Sequence, residues 1–415
     1  MGKYTRDSSL TLNTTRICAD NPIDISSDIA ELGFANMRPN AVILVNEQEV
    51  FDGIVAASLV HLPINAPILF INSRNLSERT LKDIERLSPK GYKGIHVFLV
   101  GNISRKVSSE LISHGYKTKY IKGSNHYETA CMISSIREDF KNIIIMSGED
   151  YTEGISATYW SAHHGDPILY VKHNSIPYCT IETIKKNKDI NVYIMGSTKT
   201  VSKAVEKYLS RLDNVKHLDR IDGEDPYEIS VNFAKYKSPK TEFGWDRNHK
   251  EGHAFTFGEL NHPMESIAGA LFAHMGKHTP LLFIRQDSVP EVVEKYIKSV
   301  RPMPIKDMPG PPFMHGFIIG GSEIINHKAQ VMIEDSLSID HEMMDMPMNM
   351  NRCQNEIIWE NTTYSTDTNY YMYHMFQQED DYKEIYRNND MILGDHSYKR
   401  LNVDYKEVDI SELLG

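Results

Sequence analysis

The feature that most limits what this chain can fold into is a phrase it contains three times. RICADNPIDIS at 16–26 recurs as YIKGSNHYETA at 120–130 and again as RIDGEDPYEIS at 220–230. One motif order returning at a long, near-constant period means repeated supersecondary units, so whatever one copy folds into constrains the other two.

The stretches between the phrases repeat as well. Each phrase is followed by an apolar run: AVILV at 41–45, NIIIM at 142–146 and HAFTF at 253–257. Each run leads through a turn to a carboxylate (Asp52, Glu153 or Glu265) and then to a helix of small residues. These helices read FDGIVAASLVH, TEGISATYWSAHH and MESIAGALFAHM. A second strand then opens on proline in PILF (67–70), PILY (167–170) and PLLF (280–283). Asn75, Ser175 and Ser288 follow and are expected as polar N-cap residues. A third strand ends in glycine and gives way to another helix in HVFLVGNISRKVSSEL, VYIMGSTKTVSKAVEKYL and GFIIGGSEIINHKAQVMI.

Strand–helix alternation repeated three times in each unit predicts an α/β fold with a parallel sheet covered by helices on both faces. The expected organisation is an N-terminal arm (1–15), three tandem Rossmann-like or flavodoxin-like repeats (16–119, 120–219 and 220–333) and a C-terminal extension (334–415). The third copy carries two additions, KYKSPKTEFGWDRNHKEG at 235–252 and RPMPIKDMPGPP at 301–312, both expected as surface loops.

Charge is distributed unevenly. The net charge is −11, yet residues 334–415 alone hold eighteen Asp/Glu against six Lys/Arg, which leaves the repeats almost neutral. Without a concentrated basic face, nucleic acid is excluded as a partner. No apolar run is long enough to span a bilayer. The opening MGKYTRDSSLTLNTTR lacks the apolar core of a secretory signal, which keeps a cytoplasmic location open as an alternative. The four cysteines are far apart and form no CxxC pair, so free buried thiols are expected rather than disulfides or a zinc site. The extension is acidic and rich in tyrosine and methionine, a composition expected to dock on the body, on another subunit or on a partner protein.

These motifs resemble the cell wall binding repeat 2 family. The second copy carries the resemblance best, in Gly123, Tyr127-Glu128-Thr129, Gly148-Glu149-Asp150, Pro167-Ile168-Leu169, Gly196 and Val201-Ser202. The first copy has Ala19 for the leading glycine and Ile23-Asp24 for Tyr-Glu, and the third has Asn326 for the serine. The resemblance implies three Rossmann-like repeats around a pseudo-threefold axis. It also implies non-covalent attachment to anionic cell-wall polymers, and a place at the cell wall or cell surface.

The candidate ligand-binding residues are Asp52, Glu149, Asp150, Glu153, Glu265, Gly196, Ser197 and Thr198. In an open parallel sheet, ligands bind at the carboxyl ends of the strands, where all of these fall. The aligned carboxylates also open helices, where a negative charge suits the dipole. GSTKTVSK at 196–203 has a phosphate-loop flavour but lacks the terminal GK[ST] order. Gly123, Tyr127, Glu128, Gly223, Tyr227 and Glu228 are assigned to the repeat boundaries as structural residues. His274 and His278 have a spacing that can present two imidazoles to a metal, but no third ligand is evident. No catalytic constellation, metal site or cofactor is assigned. The reading is a non-enzymatic binding or scaffold protein. An assembly subunit working through its extension, or a Rossmann-like enzyme acting on a nucleotide or sugar, remains open.

Overall fold

The structure is a computed structural model; it describes residues 13–19, 21–137, 140–250, 252–275, 278–302 and 314–338. The methionine-rich segment, the rest of the acidic extension and most of the proline-rich segment lie outside the described residues.

The chain begins with strand β1 (Thr14–Ile17) and helix α1 (Pro22–Gly33). The first unit continues through β2 (Val42–Asn46), α2 (Val50–Ala56), β3 (Ile68–Ile71), α3 (Glu78–Leu87), β4 (Val97–Val100), α4 (Arg105–Ser113) and β5 (Thr118–Ile121). The second comprises α5 (His126–Ser134), β6 (Asn142–Ser147), α6 (Ala157–His164), β7 (Ile168–Val171), α7 (Tyr178–Lys186), β8 (Ile190–Met195), α8 (Lys203–Leu209) and β9 (Val215–Ile221). The third comprises α9 (Pro226–Lys235), β10 (His253–Glu259), α10 (Pro263–Ala268), α11 (Leu271–His274), β11 (Leu281–Ile284), α12 (Glu291–Ser299), β12 (Met314–Ile319) and α13 (His327–Leu337).

These strands form three four-stranded sheets, ordered β3-β2-β4-β5, β7-β6-β8-β9 and β11-β10-β12-β1, with every pair parallel. The inner strands β2, β6 and β10 are buried along nearly their whole length because helices cover both faces. Each sheet has a fourth strand where the sequence reading had three. TTRI, TKYI and VKHLDRI sit at sheet edges with half their side chains toward water, so they lack the apolar run that marks a strand.

The fourth strand explains the repeated phrase. Its first residues end the sheet of one unit, and its last residues begin the first helix of the next. β5 closes the first sheet and β9 the second, while β1 pairs with β12 and closes the third. The amino-terminal strand therefore joins the carboxy-terminal unit and shuts the tandem array into a ring.

The small-residue helices meet at the middle of that ring. α6 packs against α11 and against the 3-10 turn Ala57–Leu59, and α10 packs against α2. Small side chains are required there: a Cβ on Gly269 would fall 2.2 Å from the Tyr159 hydroxyl. Tyr159 donates from that hydroxyl to Ser266 O at 2.8 Å, tying the second unit to the third. Tyr170 donates to Phe51 O at 2.6 Å, tying the second to the first.

The insertion at 235–252 is not a surface loop throughout. Phe243 is fully buried and stacks on Tyr193 with ring centroids 3.7 Å apart, and Trp245 stacks on His163. This segment of the third unit lies on the second because its aromatic side chains find an apolar surface there. The thiols also differ from expectation: Cys18 is exposed and Cys131 and Cys179 are half-buried, none of the three in a disulfide.

Candidate functional site

The candidate residues gather most closely at the carboxyl edge of the β7-β6-β8-β9 sheet. β8 is followed by Gly196, whose φ of +118° is readily adopted only by glycine. A Cβ there would also stand 2.7 Å from Thr200 Oγ1 and 3.2 Å from Glu153 Oε2. The turn so formed points its donors inward. Glu153 accepts from Ser197 N (2.7 Å), Ser197 Oγ (3.0 Å) and Thr200 Oγ1 (2.7 Å).

The donors a phosphate would use thus already hold the protein's own carboxylate. Thr198 and Lys199 stay exposed at the rim. Glu149 and Asp150 form the facing turn, their backbone N–H groups donating to Ser147 Oγ at 3.0 and 3.1 Å. Glu149 Oε2 accepts from His173 N at 2.9 Å, and the His173 ring reaches Thr198 O at 3.3 Å. Three loops are therefore cross-tied. Ser147, His173 and Thr200 were not singled out in the sequence; alignment of the copies would have marked the loops but not the bonds.

The three carboxylates are not equivalent in this structure. Asp52 is one methylene shorter than Glu153 and presses on Gly101, the counterpart of Gly196. Its Oδ1 has no hydrogen-bond partner, and burial, with the Glu49 charge adding to it, raises its pKa to about 6. Glu265 lies in the first turn of α10 and meets His262 Nδ1 at 3.4 Å. In the first and third units the carboxylate opens a helix; in the second it anchors the loop after β8.

The boundary residues form helix caps. Asn125 Oδ1 accepts from Glu128 N at 3.0 Å, and Glu128 reaches back to Ser124 N at 2.8 Å. Asp225 Oδ1 likewise accepts from Glu228 N at 2.9 Å, and Glu228 accepts from Glu224 N at 2.7 Å. This is a capping-box arrangement. Gly123 and Gly223 serve close approach: added Cβ atoms would stand 2.6 Å from Thr129 N and 3.1 Å from Ile229 N. Tyr127 lies over Gly148, and the Tyr227 ring receives the Arg285 guanidinium 4.9 Å from its centroid. The residue that starts the phrase grips the preceding unit. Arg16 donates to Gly320 O and Ile325 O, Tyr120 to Ser104 O, and Arg220 to Gly196 O and Val201 O.

His274 and His278 do not converge on one point. His274 Nε2 meets Asn65 Oδ1 at 3.2 Å, whereas His278 Nδ1 meets His163 Nδ1 at 3.0 Å. Among the described residues no group of three or more His, Cys, Asp or Glu is placed to hold a metal ion.

This geometry agrees with the comparisons to known proteins. Residues 121–206, most of the second unit, match the family described as Cell wall binding domain 2 (CWB2). This match falls on the copy whose motifs resemble the same family best. Among relatives, the chain is 27% identical over 265 residues to the amidase enhancer of Bacillus subtilis (strain 168), covering 63% of this chain and 34% of that one. It is 26% identical over 246 residues to the N-acetylmuramoyl-L-alanine amidase LytC of the same organism, covering 59% and 45%. The chain therefore spans less than half the length of either relative. The fold is shared with Cwp6 from Clostridium difficile (TM-score 0.64, 20% identity, 79% of this chain and 48% of that chain). It is shared equally with Cwp8 from the same organism (TM-score 0.63, 20% identity, 78% and 52%).

Proposed function

We propose that this chain is a non-catalytic binding protein that attaches without covalent linkage to an anionic polymer of the cell wall, and that it works at the wall or cell surface. The observation that carries this reading is the match of the second unit to cell wall binding domain 2. Two further observations support it. Similarity to both an amidase and an amidase enhancer suits a module common to the two better than a catalytic centre. The loop that a nucleotide phosphate would need is already filled by Glu153. Among the described residues no helix is long and apolar enough to cross a membrane.

The test is co-sedimentation of the purified chain with cell walls before and after extraction of their anionic polymers. The chain is expected to pellet with intact walls and to stay soluble with extracted ones. Retention no greater than that of a control protein of equal charge overturns the reading.

A further inference from the structure

An anionic polymer needs cations to meet it, yet the repeats as a whole are nearly neutral. One groove gathers four lysines. This open groove of about 640 Å³ runs between α8 and the edge strand β9 and is lined by Lys203, Lys207, Lys216 and Lys240, all exposed. Its only carboxylate is Glu206, which is engaged by Arg220 at 2.6 Å. Lys216 shares its charge with Asp189 at 3.0 Å, while among the described residues Lys203, Lys207 and Lys240 have no carboxylate partner.

The pattern differs from that on α3 and α12, where lysines sit four residues after glutamates in Glu78–Lys82, Glu291–Lys295 and Glu294–Lys298. Such pairs support a helix, whereas like charges at the same spacing weaken it. Lys203 and Lys207 are a like pair at that spacing, with two more lysines nearby. The repulsion is relieved when an anion enters.

Two units build this groove. Lys240 belongs to the insertion of the third unit, held against the second where Tyr193 Oη meets Ser238 Oγ (3.2 Å) and Thr241 Oγ1 (2.5 Å). Phe243 anchors the same segment. One polar atom of the lining is also unsatisfied: His217 Nε2 is buried and has no hydrogen-bond partner.

We infer that the α8–β9 groove is a binding site for a phosphate-bearing polymer strand, with Lys203, Lys207 and Lys240 as its principal contacts. The inference rests on the wall-binding reading and assigns it a location. Nucleic acid shares the phosphate chemistry, but the groove lining has no Phe, Tyr or Trp for base stacking.

The test titrates the full chain with purified phosphodiester-linked wall polymer, and separately with inorganic phosphate and with single-stranded DNA, at several salt concentrations. The K203Q/K207Q/K240Q variant is compared with a variant carrying arginine at the same three positions, with thermal melts confirming that both fold. The glutamine variant is expected to bind the polymer about tenfold or more weakly with a shallower salt dependence, and the arginine variant to bind as wild type. Wild-type binding to the polymer that the glutamine variant retains in full overturns this site and leaves the wall reading standing. Failure of the wild type to bind any wall polymer overturns both. Equal affinity for DNA, or for inorganic phosphate alone, overturns the assignment to a wall polymer.

Discussion

Glu153 and Asp52 occupy matching places in consecutive repeats, yet one methylene separates their roles. Glu153 reaches the donors of the loop after β8 and satisfies three of them. Replacing it with alanine leaves Ser197 N–H buried and unpaired, so Glu153→Ala is expected to destabilise the chain by about 3 kcal/mol in urea unfolding. Asp52 comes as close to the matching loop, against Gly101, yet its Oδ1 stays unpaired. Its pKa is raised to about 6 in the folded chain, chiefly by burial. The folded state therefore holds this proton more tightly than the unfolded one, and stability drains away as pH rises through that range. Asp52→Asn should thus be more stable than wild type by roughly 1–3 kcal/mol at pH 8, with the gain gone by pH 4. Urea curves at the two pH values check this; an Asn variant less stable at pH 8 contradicts it. Both carboxylates were legible in the sequence as aligned positions. Their difference was not, because it depends on which donors of the turn after the third strand meet the carboxylate.

Elements split the same way into those the sequence shows and those it hides. β2, β6 and β10 were legible as continuous apolar runs because both their faces are covered. β1, β5 and β9 were hidden: unlike the buried edge strands β3, β7 and β11, they expose part of their side chains and read as polar turns. The insertion misled in the opposite direction, since its charged residues suggest a solvated loop while Phe243 and Trp245 are buried. Phe243 stacks on Tyr193 and lies against Trp160, so truncating it opens a cavity between two units. Phe243→Ala is expected to cost about 3–5 kcal/mol and to expose the 235–252 segment to protease. A change below ~1 kcal/mol would show that the insertion is not held by this ring.

At the scale of the whole molecule, the ring brings His61, His163, His164 and His274 from three repeats to its middle. Burial holds all of them below the usual imidazole range: His61 at about 2, His164 and His274 at about 4, and His163 well below. The surrounding charges reinforce this, with His278, Arg137, Arg247 and Lys237 all disfavouring a further positive charge. The folded chain keeps these rings neutral while the unfolded chain protonates them near pH 6.5, so stability falls as pH drops below that point. Asp52 and Asp166, both raised to about 6 by burial, act in the opposite direction and offset part of the loss. With four histidines against two aspartates, unfolding free energy is expected to fall by roughly 2–3 kcal/mol per pH unit between pH 6 and 4.5. Urea unfolding at pH 7, 6 and 5 measures it, and a flat profile would refute the role given to the histidines.

The sequence by itself determined the unit: apolar runs, proline-led second strands, glycine stops and a capping phrase repeated three times require helices alternating with parallel strands. These signals are local, carried by residues near one another in the chain. Only the tertiary structure decided how the units join. β1 pairs with β12 some 300 residues away (Thr14 opposite Gly316), the insertion of one unit lies on another, and histidines of the third repeat pair with histidines of the first and of the second. Those contacts depend on which edge is left open when each sheet forms. No window of sequence records that, because the partner of an edge strand is set by closure of the ring.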